Sequence, residues 1–447
     1  MRKILHLTIF SLLLTMSVQA QRASYFRRLF VDAEYYFLYE DYRDALPFYL
    51  ELHNAYPDNA NISYRIGLCY LNIPNEKHKS IPFFEKATKS ITQTYNEGYF
   101  TETQAPREVY LHYGRALRIL NEFQKSNNAF AKYSSLLTDA DSIAKTIVGK
   151  ELMSLALAQD YIENPIAVKF TSAGRNVNTR FSEINPVVSA DTSRMVYTSV
   201  QQFYSAIMVA NKRAKVWSFP LNINSQILAD GIISTVGMSA DGFTVLFSRN
   251  DNDVFNLYTS KYDPVKDQWG SISRLPKEIN SRNWENYASF SPTGDTIYFS
   301  SNRPGGSGGF DLYQSIRTPT GWSVAVNLGG VLNSPFDEIA PTVSSDGKRL
   351  FFSSKGHGSM GGYDIFVSEM VNGRWGRPVN LRYPINTTDD DVFYFPISNG
   401  SSGYVSRVLP QSFGENDIYL LEFDLDSLIK ANRRPEFLSP LIDATGY

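Results

Sequence analysis

Five acidic residues recur at one place of a repeated pattern in the C-terminal half of the chain: Glu183, Asp230, Glu285, Glu338 and Asp391. Each follows, by five or six positions, an asparagine that opens a segment between strand-like runs; these are Asn178, Asn224, Asn280, Asn333 and Asn386. If the segments lead to strands around one axis, the carboxylates ring a channel mouth, where their repulsion would favour a cation or a basic partner segment. The alternative is that each carboxylate accepts hydrogen bonds from backbone N–H groups of its own segment.

The other groups with catalytic potential lack partners at the spacing that catalysis requires. Residues 356–362 are similar to a nucleophile elbow around Ser359, but His357 stands where the elbow needs glycine. One repeat earlier, residues 304–309 read Pro-Gly-Gly-Ser-Gly-Gly, so the segment is interpreted as a turn between strands. The single cysteine, Cys69, and the five histidines show no metal-site spacing. We expect no cofactor, no metal and no catalytic activity.

The N-terminus has the pattern of a secretory signal peptide. Positive residues at positions 2 and 3 precede an apolar run from Ile4 to Met16, and Val-Gln-Ala at 18–20 forms a cleavage site. Because residue 21 is not the cysteine of a lipoprotein, we expect an exported, periplasmic protein without a lipid anchor, with association with the outer membrane as an additional expectation. The 43 Lys and Arg residues nearly balance 45 Asp and Glu, which argues against nucleic acid as a partner, and no later segment is apolar enough to span a membrane.

Residues 21–163 have the periodicity of paired helices. In the first pair, small residues allow close approach, aromatic residues fill the gap, and a proline ends the second helix because it has no N–H to donate. The residues with this spacing are Leu29, Ala33, Tyr36, Tyr42, Ala45, Tyr49, Leu52 and Pro57. The spacing recurs around Gly67 and Gly114, before a closing helix from Asp139 to Glu163. The pattern, of about 34 residues, resembles the tetratricopeptide family, which implies an α-solenoid of repeats with a cap.

The tetratricopeptide resemblance implies a groove lined by the first helix of each pair, in which a partner would bind. The groove positions are Arg27, Glu34, Phe37, Asn61, Tyr64, Glu108, Arg115 and Arg118. Arg115 and Arg118 lie three residues apart on one helix face, a geometry that can grip carboxylates. The alternative is that the polar members form a solvated face and the apolar members pack locally.

From residue 164 onwards the periodicity changes from helical to strand-like. A Ser-x-Asp-Gly turn recurs, with glycines at 242, 294, 347 and 400 that are 52, 53 and 53 residues apart. Each turn leads into an apolar strand, and a further strand follows at residues 256, 311, 364 and 417, for which we take Val216-Trp217 as the counterpart in the first repeat. Four short strands per repeat of this length are typical of a β-propeller blade.

Five blades are predicted, and the fifth lacks an outermost strand at the C-terminal side. Residues 168–171, Val-Lys-Phe-Thr, can supply it, so the N-terminal strand would close the ring and leave no free sheet edge. The predicted fold class is therefore α then all-β, an α-solenoid followed by a five-bladed β-propeller; a six-bladed propeller is the alternative. The predicted domains are a signal peptide (1–20), a helical-repeat domain (21–163), a propeller (164–426) and a C-terminal tail (427–447).

The Ser-x-Asp-Gly turns and the Asp-Φ-Tyr strands of these blades resemble the WD-like repeats of the Tol-system periplasmic protein. With the signal peptide and the helical repeats, they resemble periplasmic proteins of Bacteroidota linked to type IX secretion and gliding motility, but no OmpA-like domain is found before Tyr447. The resemblance implies a non-catalytic scaffold or adaptor that binds proteins of an envelope machine, with peptidoglycan or another glycan as a further candidate partner. A glycan- or peptidoglycan-fragment-binding propeller and a propeller hydrolase are the alternatives.

The signal-peptide interpretation predicts cleavage after Ala20, because the small residues of the Val-Gln-Ala site face the peptidase. N-terminal sequencing or intact mass of the exported protein should show Gln21, free or cyclised, as the first residue. A mature chain that still begins with Met1 would show that this interpretation is wrong.

Overall fold

The structure, a computed structural model, describes residues 21–432. The predicted signal peptide and the last fifteen residues of the predicted tail, 433–447, lie outside this range. The chain divides into two compact units with a boundary between Leu155 and Ala156. Within residues 21–432, no helix is at once long enough and apolar enough to cross a bilayer.

The first unit is built from helices that follow one another closely in sequence. Residues 21–38 are helical and are called α1. The further helices are α2 (Tyr42–Ala55), α3 (Ala60–Asn72), α4 (Ser80–Ala87), α5 (Val109–Ile119), α6 (Phe123–Ser135) and α7 (Ser142–Glu163), with a 3₁₀ turn at Lys77–Lys79. Two short strands, β1 (Ile91–Thr92) and β2 (Ala105–Pro106), pair in parallel between α4 and α5.

Close helix approach in this unit depends on small residues, as the sequence predicts. A Cβ atom at Gly67 of α3 would lie 2.6 Å from the ring of Phe84 in α4, and Gly114 of α5 stands in the same relation to Phe130 of α6. Ala33 and Ala45 are fully buried in the core that joins α1, α2 and α3. Glycine and alanine therefore set the distance between neighbouring helices, and aromatic rings fill the space beside them.

The unit boundary lies inside α7 rather than after residue 163, where the sequence places the end of the helical domain. The last turns of α7 belong to the second unit, within which Asp160 pairs with Arg382 at 3.3 Å and the Arg382 guanidinium lies 4.4 Å from the centre of the Tyr161 ring. The helical periodicity of the sequence continues through these residues without a break. The sequence pattern therefore gives no sign of the boundary.

The second unit is a β-propeller of five sheets. Its first blade contains β4 (Ser182–Val188), β5 (Arg194–Val200), β6 (Ser205–Arg213), β7 (Val216–Trp217) and β8 (Leu221–Asn222), followed by a short helix, α8 (Asn224–Ile227). The second blade contains β9 (Ile233–Met238), β10 (Thr244–Asn250), β11 (Phe255–Asp263), β12 (Gln268–Trp269) and β13 (Ser273–Arg274). The third contains β14 (Glu285–Phe290), β15 (Thr296–Ser301), β16 (Asp311–Thr318), β17 (Gly321–Trp322) and β18 (Val326–Asn327).

The last two blades complete the ring. The fourth contains β19 (Glu338–Val343), β20 (Arg349–Ser354), β21 (Asp364–Val371), β22 (Arg374–Trp375) and β23 (Val379–Asn380). The fifth contains β24 (Phe395–Ile397), β25 (Ser402–Arg407), β26 (Asp417–Phe423) and, outermost, β3 (Val168–Ser172). The innermost strands contact one another in the order β4, β9, β14, β19, β24 and back to β4. The five-bladed prediction is confirmed, and the six-bladed alternative is wrong because β24 meets β4 directly.

The ring closes through the strand that the sequence predicts. β3 pairs antiparallel with β26, with Val168 opposite Phe423 and Phe170 opposite Leu421. Val168 and Phe170 also pack on the core of the fourth and fifth blades. The N-terminal strand therefore covers the edge that the last blade would otherwise expose.

Two details of the propeller differ from the sequence interpretation. In the first blade the third strand is β6, and Val216–Trp217 is only its short partner. The sequence pattern did not identify β6, since β6 lacks the Asn or Asp that marks this strand in the later blades. At the C-terminus, residues 427–432 belong to a helix, α9 (Leu425–Asn432), rather than to a tail. Leu425 and Ile429 of α9 are buried against the propeller core that contains Phe351.

The recurring turn between the first and second strands of a blade depends on its serine and on a residue with positive φ. In the first blade, the Ser189 hydroxyl donates to Asp191 at 2.6 Å and the backbone N–H of Arg194 donates back to the serine oxygen at 3.0 Å. The turn then requires a residue with positive φ, which is Gly242 (φ 73°) in the second blade and Thr192 (φ 58°) in the first. A glycine adopts this conformation without strain, which explains its recurrence.

Ring closure predicts a stability difference between two shortened chains. A chain beginning at Pro165 keeps β3, whereas a chain beginning at Gly174 lacks it and exposes β26 as an edge strand. We expect the longer chain to melt cooperatively and the shorter one to lose several kcal/mol of stability or to aggregate, about the cost of removing two core side chains and a strand pairing. Equal melting temperatures in calorimetry would show that the ring closes without β3.

Candidate functional site

The linker asparagines, which the sequence identified only as markers, join each blade to the next. In the linker before the fourth blade, Asn333 accepts the backbone N–H of Leu312 at 2.7 Å and donates to the carbonyl of the same residue at 3.1 Å. The same paired hydrogen bonds join Asn280 to Leu257, Asn386 to Ile365 and Asn178 to Ile418. Each partner lies in the third strand of the neighbouring blade. Asn178 bonds to the fifth blade and so closes the ring a second time.

The linker carboxylates are held by their own linkers. Glu338, with no exposed surface, accepts the backbone N–H of Ser334 at 2.8 Å and the hydroxyl groups of Ser334 and Ser354 at 2.5 and 2.7 Å. Glu183 accepts the equivalent bonds from Thr179 and Ser199. The acid therefore ties its linker to the second strand of its own blade.

In the third and fifth blades an arginine joins this arrangement. Glu285 accepts from Ser281 and Ser301 and pairs with Arg303 at 3.0 Å, and Asp391 accepts from Thr387 and pairs with Arg407. These buried acids do not line a channel mouth. Their geometry is that of the alternative interpretation, in which linker N–H groups hold each carboxylate.

Asp230 differs from the other four acids. Its side chain is largely exposed and pairs with Arg249 at 2.8 Å. It belongs to the linker that contains α8, in which the asparagine and the acid are six residues apart instead of five. The additional residue changes the register, so the carboxylate does not reach the buried position.

The residues that precede the linker acids lie at the mouth instead. Consecutive side chains of an extended segment point to opposite sides, so Trp284 turns away from the linker that holds Glu285. Its ring centroid is 5.3 Å from that of Phe255 and 6.4 Å from that of Phe310, and 36% of Trp284 is exposed. The first and third strands of each blade both begin at this end, because the second strand runs antiparallel to both of them. We call this group of residues, with Asp337, Lys355, Tyr363 and Asp390, the mouth cluster.

The charged members of the mouth cluster bond to one another. Asp337 accepts the Lys355 ammonium group at 3.0 Å, the Tyr363 hydroxyl at 3.1 Å and the backbone N–H of Phe310 at 3.0 Å. Burial opposes ionisation of Asp337, but these bonds and the Lys355 charge outweigh it and lower the pKa of the carboxyl group. Burial and the neighbouring Asp337 charge raise the pKa of Tyr363. Asp390 accepts the backbone N–H of Tyr363 at 2.9 Å and is exposed.

Below the mouth, the centre of the propeller is apolar. Residues of all five innermost strands or their starts join one hydrophobic cluster that contains Val187, Ile233, Tyr287, Ala340 and Phe393. The rings of Tyr287 and Phe393 are 6.1 Å apart, and burial raises the pKa of Tyr287 to about 12. An apolar centre does not favour a bound cation. This agrees with the burial of the linker acids Glu183, Glu285 and Glu338, which bond to their own linkers.

Ser359 and His357 do not form a catalytic pair. Ser359 is buried and donates to the carbonyl of Lys355 at 3.1 Å, whereas His357 Nε2 lies 2.8 Å from the carbonyl of Leu332. Gly361 of the same loop lies against a linker, since an added Cβ would be 2.6 Å from the Thr388 backbone. The loop therefore packs as a turn. Among residues 21–432, no group of three or more His, Cys, Asp or Glu side chains is placed to hold a metal ion.

In the helical unit, two predicted groove residues, Glu34 and Phe37, meet around an arginine that the sequence interpretation did not include. Arg65 is 2% exposed and pairs with Glu34 at 3.0 Å, while its guanidinium lies 4.5 Å from the centre of the Phe37 ring. Asn61, one turn earlier on α3, is also buried and accepts the hydroxyl of Tyr95 at 2.6 Å. Arg65 is the one charged residue of α3, and a lone charge in an apolar helix is the signal that could have identified it.

Arg115 and Arg118 grip a carboxylate of this chain. Both pair with Glu151 of α7, at 2.9 and 2.5 Å. Burial opposes ionisation of Glu151, but the two guanidinium groups outweigh it and lower the pKa of the carboxyl group to about 2. The remaining predicted groove residues are dispersed: Tyr64 is buried, Glu108 pairs with Arg107 at 3.2 Å, and Arg27 is exposed.

No protein-family model and no curated protein matches this sequence. The chain is similar to solved structures at low identity. TolB from Acinetobacter baumannii is 13% identical with a TM-score of 0.36, and the match covers 62% of this chain and 70% of TolB. The catalytic domain of a Coprinopsis cinerea GH62 α-L-arabinofuranosidase is 11% identical with a TM-score of 0.38, and the match covers 57% of this chain and 97% of that domain. A PQQ-bound aldose sugar dehydrogenase from Streptomyces coelicolor is 11% identical with a TM-score of 0.35, with coverage of 58% and 99%. The similarity is one of fold, and it assigns no activity to this chain.

The buried linker acids predict a pH dependence of stability. Burial raises the pKa of Glu338 from 4.5 to about 7, against the opposing hydrogen bonds of Ser334 and Ser354. Because the folded pKa lies above the unfolded one, the contribution of Glu338 to stability is complete below pH 4.5 and is lost as pH rises through about 7. The free energy of unfolding should therefore fall as the pH rises over this range. In Glu338→Gln we expect this fall to be smaller by about 1 to 3 kcal/mol.

The measurement is the free energy of unfolding in urea at a series of pH values from about 4.5 to 8.5, compared between the two proteins. Glu285→Gln is the matched control, because it leaves Arg303 without its carboxylate partner and should lower stability at every pH. Parallel curves for Glu338→Gln and the unaltered protein would contradict the prediction.

Proposed function

We propose that this chain is an exported, non-catalytic scaffold that binds proteins of a cell-envelope machine through the surfaces of its two units. The observation that carries the proposal is the exposed Trp284 between Phe255 and Phe310 at the mouth of the propeller. Partly exposed tryptophan beside other rings is the chemistry of interface hot spots, since it offers a large apolar contact at low entropic cost.

Further aromatic side chains are exposed at the same end of the propeller. Phe203 and Tyr204, in the turn between the second and third strands of the first blade, are 87% and 52% exposed. Large exposed apolar rings on a well-packed scaffold favour a role in binding. Four of the linker acids, in contrast, are bonded to their own linkers and Asp230 is paired with Arg249, so they are not proposed as catalytic groups.

The finer parts of the proposal rest on the sequence. The closely packed helix pairs at Gly67 and Gly114 support the tetratricopeptide assignment of the first unit. The pattern of residues 1–20 supports export to the periplasm. The resemblance of the repeats supports a machine of the type IX secretion or gliding-motility kind.

A glycan-binding propeller is the second candidate function. Aromatic rings beside carboxylates, as at Trp284, Asp337 and Asp390, are also suited to sugars, because rings stack on apolar sugar faces and carboxylates accept from hydroxyl groups. A glycan array with the purified protein separates the two candidates: binding to glycans without any protein partner would favour the second and contradict the scaffold.

The scaffold proposal predicts a loss of partners in Trp284→Ala. Crosslinking in cells, followed by affinity purification and mass spectrometry, should recover a defined set of envelope proteins with the unaltered chain and several-fold less of them with the variant. Phe219→Ala is the matched control, since Phe219 is 81% exposed but lies in the outer turn of the first blade. Equal recovery with both variants, at unchanged melting temperatures, would overturn the role of the mouth cluster.

A further inference from the structure

Residues 93–104, between β1 and β2, form a loop whose two ends are held together. The parallel pairing of Ile91 with Ala105 and of Thr92 with Pro106 closes its base. Inside the loop, Glu102 accepts the backbone N–H groups of Asn96, Thr103 and Gln104 at 3.2, 3.0 and 2.9 Å. The loop therefore has its own internal order, and we call it the strap.

The strap occupies predicted groove positions of α1 and α3. The carbonyl of Thr103 accepts the backbone N–H groups of Ala60 and Asn61, at 2.9 and 3.3 Å, in the first turn of α3. The Phe100 ring is 5.8 Å from that of Phe30 and 6.1 Å from that of Tyr56. A backbone carbonyl and an aromatic ring thus fill sites that a partner segment would otherwise use.

A carboxylate of the strap completes the ionic site. Glu97 reaches Arg65 at 3.3 Å, yet 73% of its own side chain is exposed, so solvent competes for it. Arg65 is buried, and its Nε has no hydrogen-bond partner within the described residues. A planar guanidinium with an unused N–H can donate to a carboxylate that is placed in better geometry than Glu97.

We propose that the strap is a built-in, displaceable ligand, and that the groove exchanges it for an extended acidic and aromatic segment of a partner protein. Such a segment would present a carboxylate to Arg65, a ring to Phe30 and Tyr56, and a carbonyl to the first turn of α3. The inference rests on the proposed scaffold function for the nature of the partner. The exchange of the strap involves only the helical unit. An experiment can therefore show that the exchange does not occur even if the mouth cluster binds a partner protein.

The pairing of β1 with β2 at the base of the strap determines how tightly a partner segment must bind. Because β1 and β2 hold its ends, the strap competes at an effective concentration of about millimolar. A free segment of the same chemistry is therefore excluded from the unaltered chain unless it binds more tightly or the strap contacts are weakened.

The experiment weakens the strap contacts in the full chain. In Glu97→Ala/Phe100→Ala, we expect the amides of Ala60 and Asn61 to exchange hydrogen about tenfold faster or more, with α6 unchanged. A fluorescent peptide with the sequence of residues 93–104 should bind this variant at least about tenfold more tightly than the unaltered chain in anisotropy titrations. Tyr99→Ala is the matched control, because Tyr99 lies in the strap but is 65% exposed.

A peptide that carries the same two substitutions should not bind the double variant. Unchanged exchange at residues 60 and 61, or no peptide uptake by the folded double variant, would overturn the proposal. Phe100→Leu keeps an apolar side chain and should give intermediate exchange and binding. If both variants lose their cooperative melting transition, the strap is a fixed part of the helical core and the proposal is likewise overturned.

Discussion

The joint between neighbouring blades is the interaction on which the propeller depends. At the start of four of the five linkers, an asparagine side chain makes two hydrogen bonds with one backbone residue of the preceding blade, as Asn333 does with Leu312. Five residues later a buried acid, such as Glu338, bonds the linker to its own blade. Since a buried polar group without a partner is costly, each joint specifies one register and one spacing between sheets. The closed ring follows from its repetition, with Asn178 joining the first linker to the last blade.

This use of polar groups determines where binding can occur. Four of the five linker acids are held inside the joints, and the centre of the propeller is filled by side chains such as Tyr287 and Phe393. What remains accessible at this end of the propeller are charged groups paired with one another and aromatic rings, among them those of Trp284 and Phe203. Under the proposed function, these rings are the part of the surface that contacts a partner.

The helical unit depends on a buried cation, Arg65, in a comparable way. Arg65 is removed from water and gathers Glu34, Phe37 and a carboxylate of the strap around it. The desolvation of a guanidinium requires such partners, and they come from two separate parts of the chain, α1 and the strap. The second arginine pair, Arg115 and Arg118, has its carboxylate in Glu151 and is thereby fixed. The two ionic sites differ in that Glu97 is exposed, whereas Glu151 is buried.

The sequence by itself determined the architecture. Periodicity separated helices from strands, the recurring Ser-x-Asp-Gly turns gave five blades, and the leftover strand at residues 168–171 closed the ring, because these features are local and repeat. Tertiary structure alone decided which side chains meet. The extended backbone turns Glu285 inward and Trp284 outward although they are adjacent, and the long loop at 93–104 returns to the groove. Such contacts join residues far apart in sequence, and their burial depends on the packing of whole elements, which no local pattern records.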